Sequence, residues 1–518
     1  MAVIFKVLHI ALYEQKNVSK NPCDNAISNQ RRRHSMTATS LDINQTIAEV
    51  EGLLEADENI SPTLTASIKM LIVVVKLLTD KVTLNSRNSS KPPASDPNRE
   101  KKPRPKGNNS AGGQIGRKGT TLAPVDEPDE IKELKIDRRT LPRGDYRDDG
   151  YESRQVFDIR ICRHVTEYRA QVLINSSGKK FVAEFPGKLN RPAQYGPSVK
   201  ANAVYMTMYQ LIPYERVKTH FAEMFDLPLS AGSLFNFNLD AFNRLAPFID
   251  MAKLQLSQHE KVVHADETSI NVDGKRFWLH GASNEHWTLI AAHAKRGKEA
   301  MDDIGVLPNF SGYLIHDHWK PYYKYDGCQH VLCNAHHKRE LIRAHEQDGQ
   351  AWAKKMEDLL DQINIATKDA GGLLPIAESK KWRQKYRRLL KKADAECPPP
   401  IPDPNVPKKG RLARSKSRNL LERLRNYEED VLRFMDVAVV PYTNNQGERD
   451  IRMTKVQQKV SGCFRSRQGA EIFCAVRSYL STCRKHQVGV GEALECLFAG
   501  TWPEFIQKKL DIMRLGAE

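Results

Sequence analysis

Three carboxylates in this sequence stand where phosphate chemistry would need them. Val262, Val263 and Ala265 form a short apolar run that ends on Asp266, and Tyr313-Leu314-Ile315 forms another that leads to Asp317. The third, Glu448, stands in Asn444-Asn445-Gln446-Gly447-Glu448-Arg449-Asp450-Ile451-Arg452-Met453, a stretch with the form of a helix start that Asn444 can cap. Glu448, Arg452, Lys455 and Lys459 recur at helical spacing and so share one face. Taken singly, a strand-end Asp is an ordinary turn residue and an acid among cations is an ordinary solvated stripe. Together they make a complete Mg²⁺ site: hard oxygen ligands for a hard ion, with basic neighbours for phosphates.

Those residues need a scaffold, and the stretch 261–325 supplies one. Asp273-Gly274 is a two-residue hairpin signal, because both turn positions favour positive φ. Phe277 and Leu279 mark a second strand, and Thr288 to Ala292 a third. Arg296 to Ile304 reads as a short helix closed by Pro308. After Asp317, the segment CQHVLCNAHHKRELIRAHEQ places Cys328, Cys333, His336 and His337 close together, but their spacing is not a standard zinc pattern.

The segments HADET, GKRFWLHGAS, KRGKEAMDDIGVLPNFSG, HDHWKPYYKYDGCQHVLCNAHHKREL and NNQGERDIRM resemble the transposase of the insertion sequence 66 family. The resemblance runs from about residue 84 to the C-terminus. It implies a DDE enzyme with an RNase H-like core, in which the two aspartates are Asp266 and Asp317 and the glutamate is Glu448. The separations are 51 residues and then 131, the second resembling the family's habit of inserting a helical subdomain before the glutamate. The shared AHH-x-RE motif implies that His336, His337, Arg339 and Glu340 support the site. Glu340 is also the alternative third carboxylate, since some RNase H-like enzymes use a nearer acid.

At 518 residues the chain is too long for one compact core. Its 80 Lys and Arg against 63 acids, a formal charge of +17, favour a polyanionic partner, nucleic acid first. Nine scattered cysteines without a C-x-x-C point to a reducing compartment, and no run reaches eighteen apolar residues. A cytoplasmic, nucleoid-associated protein is expected.

The expected fold class is multidomain α/β: an RNase H-like catalytic core, a mixed sheet with flanking helices, carrying a helical insertion. Residues 1–39 read as an unstructured extension, with Met36 an alternative start. Residues 40–86 form an amphipathic helical arm broken near Ser61-Pro62. There Leu64, Leu71 and Leu78 alternate with Ile68, Val75 and Val82 in a coiled-coil pattern that predicts self-association. Residues 87–124 are a basic linker, with seven Lys or Arg against one acid over 99–118. Residues 125–190 are a small β region at the position of the family's zinc ribbon; with Cys162 its only cysteine, no zinc is expected.

Residues 191–250 read as a helix-turn-helix-like segment. Its third helix opens on Ser230, a good N-cap, and presents Ser230, Ser233 and Asn236 to DNA. The catalytic domain spans 251–476, with the insertion at about 340–440, and a helical element spans 477–518. The insertion's cationic stretches RQKYRRLLKKA and RLARSKSRNLLERLRN are expected to face DNA. Arg452, Lys455, Arg465 and Arg467 are expected phosphate contacts. The reading is a transposase that binds its element's ends as a homo-oligomer, with possible accessory proteins encoded by the element. Two Mg²⁺ or Mn²⁺ ions would serve cleavage and strand transfer. The alternatives are a nuclease of the same fold and a decayed DNA-binding protein.

Overall fold

A computed structural model describes residues 43–56, 60–85, 87–89, 96, 122–159, 161–187, 189–401 and 412–515. The expected N-terminal extension, the basic run at 99–118 and most of the proline-rich segment within the insertion lie outside the described residues. The chain divides into two units after Val82. The first holds α1 (Ile43–Ala56) and most of α2 (Pro62–Thr83). Ser61 accepts the Leu64 N–H and Pro62 opens the helix, the arrangement that starts a helix best. Lys76 of α2 pairs with Glu51 of α1 at 2.9 Å. Leu64, Leu71 and Leu78 lie exposed on α2, while Ile72 is buried.

In the second unit, residues 122–196 run mostly extended, with one hairpin of β1 (Val172–Ile174) and β2 (Lys180–Val182). Four helices follow: α3 (Pro197–Val204, continued as a π turn to Tyr209), α4 (Tyr214–Phe225), α5 (Ala231–Arg244) and α6 (Ala246–Leu254). Ser230 caps α5 by accepting the Ser233 N–H. Buried Asn238 ties the first three together through Thr207 and the Tyr214 hydroxyl.

A five-stranded mixed sheet comes next. Its strands are β3 (Val262–Val272), β4 (Lys275–Ser283), β5 (Thr288–His293), β6 (Tyr313–His316) and β7 (Gln329–Leu332), in the order β5-β4-β3-β6-β7. The first three pair antiparallel, and β6 and β7 run parallel to β3. Asp273 and Gly274 both have positive φ, at 48° and 75°, and make the β3–β4 turn. The helix α7 (Lys298–Ile304) ends at Gly305, whose φ of 80° terminates it before Pro308 is reached.

After β7 come α8 (Asn334–Glu346), α9 (Ala351–Asp369), α10 (Ile376–Glu396), α11 (Lys416–Asn426) and α12 (Glu428–Asp436). These helices have their own core around Trp352, Tyr386, Leu421 and Leu432, which also covers Ile315 and Val331 of the sheet. The last helices are α13 (Asn445–Ser461), α14 (Arg467–Lys485), α15 (Val490–Ala499) and α16 (Glu504–Leu515). Helix α14 borders β5 and treats its outer edge as a strand would: Ser478 and Thr482 accept the N–H groups of Ile290 and Thr288. Four residues of helix rise about as far as two of strand, which lets one hydroxyl serve each outward amide. No helix among the described residues is long and apolar enough to cross a membrane.

Candidate active site

Asp266 lies inside β3 rather than at its end. The apolar run stops there because β6 pairs only as far as His264, while β4 goes on pairing through Val272. Asp317 directly follows β6. Both aspartates therefore stand where the parallel pair β3–β6 opens, the usual place for a crevice at the carboxyl ends of parallel strands. Asp266 is directly opposite Gly281, so the two share a face of the sheet. On that face Ile451 of α13 comes so close that a Cβ on Gly281 would stand 2.6 Å from its Cγ2. The same tight seating occurs at Gly447, whose Cβ would lie 3.3 Å from the Cβ of His264. Two glycines thus let α13 lie against the sheet and bring Glu448, in its first turn, to the aspartates.

Asn444 fixes this docking. It occupies the N-cap position, but its side chain makes no capping bond. Its Oδ1 instead meets His264 Nδ1 at 2.8 Å, and its amide donates to the Ala265 carbonyl at 2.8 Å. Its backbone N–H donates to Cys333 Sγ at 3.1 Å. The expected cap is thus replaced by a tertiary clamp, because a buried imidazole and a strand carbonyl need partners more than a partly solvated helix end does. A second clamp acts from Asp450, buried against Lys485 at 2.8 Å.

The electrostatics are one-sided. Burial first, then the charges of Glu267, Glu448 and Asp317, push the Asp266 carboxyl well above its ordinary value of 3.8. Glu448 has Arg339 at 3.7 Å and His336 Nδ1 at 3.8 Å, beyond hydrogen-bond reach, and its Oε1 is buried without a hydrogen-bond partner. Asp317 accepts the Trp319 N–H at 2.8 Å. Hard oxygen donors, surplus negative charge and an orphaned buried carboxylate oxygen fit a divalent cation.

Glu267 was not anticipated. It follows Asp266 on β3 and so points to the opposite face. There Arg296 and the Tyr322 hydroxyl hold it, each at 2.5 Å. Arg296 is in turn stacked between Trp278 and Trp319, at 4.7 and 4.2 Å from the ring centres. An acid beside Asp266 in a strand with a buried back face was the available signal.

Residues 192–472, more than half of the chain, match the family model described as Transposase IS66 family. The chain belongs to that family. A transposase role and DNA as a partner follow from membership. Residues 33–123 match a family of unknown function (DUF6444), and no curated protein matches the chain.

The other candidate residues of this IS66-family transposase are less uniformly placed. His336 and Arg339 flank Glu448, whereas buried His337 bonds Asn334 at 3.0 Å. Glu340 is engaged by Arg423 at 2.6 Å. Arg452 and Arg465 are exposed, while Lys455 donates to the Ser269 carbonyl of β3 at 2.5 Å and Arg467 pairs with Glu471 at 2.7 Å. Ser230 and Ser233 are spent on capping α5 and on each other, and Asn236 is exposed beside them. Cys328 bonds the Tyr325 carbonyl, away from Cys333.

Proposed function

We propose that this protein binds the ends of its own element and carries out metal-dependent DNA cleavage and strand transfer at Asp266, Asp317 and Glu448. The observation that carries this reading is the convergence of three carboxylates from three separate elements, Glu448 and Asp317 both adding, after burial and Glu267, to the raised proton affinity of Asp266. Three antiparallel strands continued by two parallel ones, flanked by helices, support an RNase H-like core.

The three carboxylates would hold two Mg²⁺ or Mn²⁺ ions, which when bound activate the attacking oxygen and stabilise the leaving oxygen of an in-line displacement. Asp266 must shed its proton to serve as a ligand, so cation affinity rises with pH. Arg339, 3.7 Å from Glu448, sets a positive charge beside it at the cleft. Arg452 and Arg465 offer exposed guanidinium groups to the DNA backbone, and Ser230, Ser233 and Asn236 mark the end of α5 proposed to meet base edges. On α2, Leu64, Leu71 and Leu78 offer a seam for a second copy.

The test is a cleavage assay on element-end DNA. Glu448→Gln keeps size and hydrogen-bonding capacity but removes the charge, so cleavage should fall by orders of magnitude at unchanged DNA affinity. Glu340→Gln should be mild. The reverse ranking would move the third carboxylate to Glu340. Pre-cut ends separate joining from cutting: cleavage without any joined product would leave a nuclease.

A further inference from the structure

One cluster in the second unit has chemistry that the carboxylate site does not use. Cys333 directly follows β7 and precedes α8, His336 lies one turn further on, and Glu448 reaches them from α13. The ligand atoms of all three lie within 4.8 Å of one another. Tetrahedral zinc bonds of about 2.0–2.3 Å place neighbouring ligand atoms about 3.3–3.6 Å apart. His336 Nδ1 and Glu448 Oε1, at 3.8 Å, are close to that separation. Neither atom has a hydrogen-bond partner, and both are closed off from solvent. Two buried polar atoms without hydrogen-bond partners, facing each other beside a thiol, fit a shared cation.

The surroundings of the sulfur point the same way. Cys333 Sγ receives the backbone N–H of Asn444 at 3.1 Å, and the His336 N–H donates to the Cys333 carbonyl at 3.2 Å. Bonds of this kind orient a side chain, as supporting groups do around metal-bound ligands. The donor set is one thiolate, one imidazole and one carboxylate. That combination suits a borderline ion such as Zn²⁺ or Co²⁺ and is poor for Mg²⁺, which demands oxygen. Three protein ligands leave a fourth position for solvent.

We propose that Cys333, His336 and Glu448 form a second, zinc-class site that shares Glu448 with the carboxylate cluster. An ion there withdraws Glu448 from Asp266 and Asp317. Zinc binding and the Mg²⁺-dependent reaction are then mutually exclusive, and a rise in free zinc switches the enzyme off. The binding half stands on the geometry alone; the switching half rests on the function proposed above.

The experiment uses the full chain, freed of metal by a chelator and titrated with Co²⁺. One equivalent should produce the visible bands of tetrahedral cobalt with a thiolate-to-cobalt charge-transfer band in the near ultraviolet, and Zn²⁺ should bleach both. Cys333→Ser should abolish the charge-transfer band, and His336→Ala should weaken binding about 100-fold or more, at least as much as losing a supporting residue. Asp266→Asn should leave the spectrum in place. In cleavage assays, the zinc concentration that halves each variant's own zinc-free rate should rise about 100-fold in Cys333→Ser. A missing charge-transfer band, or one that survives Cys333→Ser, overturns the site. An intact spectrum with cleavage indifferent to zinc overturns the switch alone. If no metal supports cleavage while the cobalt spectrum appears, the proposed function fails and the site stands.

Discussion

The strand-end site and the helical insertion are both dense in charge, and they treat it in opposite ways. In the insertion, cations have acids to meet. Arg383 reaches Glu428, Glu429 and Asp436, Arg418 reaches Asp394 and Glu422, and Arg423 reaches Glu340. Where β3 and β6 part, Asp266 faces Glu448 and Asp317 with no cation of its own among the described residues; burial first, then the charges of Glu267, Glu448 and Asp317, raises its proton affinity. Paired charge holds helices together. Charge of one sign gathered at a crevice is a stored cost that only a ligand relieves, and perturbed groups of that kind mark functional sites.

The sharpest way to break this contrast is Asp266→Asn. If the gathered charge serves catalysis, cleavage should drop roughly 10³-fold, since cation activation supplies several kcal/mol of barrier lowering. A single-turnover assay at saturating DNA reads it directly, and a drop under tenfold would place the chemistry elsewhere.

In the insertion, removing a charge should harm the fold instead. Arg383→Met leaves half-buried Glu428 and Asp436 without their cation and should destabilise the protein by about 2 kcal/mol, the scale of lost hydrogen bonds between charged groups. Chemical denaturation measures it, and an unchanged midpoint would mean the network is decorative.

The third effect is smaller and of opposite sign. With its pKa raised above 3.8, Asp266 keeps in the folded protein a proton that the unfolded chain releases. The resulting stability is complete below pH 3.8 and is lost as pH rises through the raised value. Without divalent cations at neutral pH, Asp266→Asn should therefore be more stable than the natural chain by about 1 kcal/mol. The gap should close when both are unfolded at low pH. A variant less stable than the natural chain at neutral pH would refute the reading of unrelieved charge.

The smallest effect concerns cations the insertion does not pair. Lys381, Lys385, Arg388 and Lys392 recur along one exposed face of α10 and make no ion pair with another described residue. Lys385→Gln should leave stability within about 0.5 kcal/mol. It should lower the slope of log affinity against log salt by about 1 if this face lies on DNA. An unchanged slope assigns the face to solvent.

Much of the site was legible in the residues themselves. Asp273-Gly274 announces its turn because few other pairs tolerate two positive φ values. The apolar runs before Asp266 and Asp317 are the buried parallel pair. What the residues do not announce is which partner each side chain meets. Asn444 has the form of a helix cap and is instead claimed by His264 and Ala265, distant in sequence and unreadable from local spacing. Lys455 has helical spacing with Glu448, yet its ammonium goes to a strand carbonyl. The insertion's arginines read as a DNA-facing excess because their acids, Asp394, Glu428 and Asp436, lie on other turns and helices. Charge counts are a property of sequence; charge pairing is a property of packing.

The hydroxyls of Ser478 and Thr482 along β5 have one more consequence. An uncovered edge strand is an open template for another chain, and many proteins associate by adding strands to it. Here one edge is occupied by α14, and at the other Arg433 of α12 takes the His330 carbonyl of β7. The sheet cannot be extended in either direction without unseating a helix. The five-stranded sheet therefore offers no free edge to the second copy proposed above, and the exposed leucine face of α2 is the seam proposed for it.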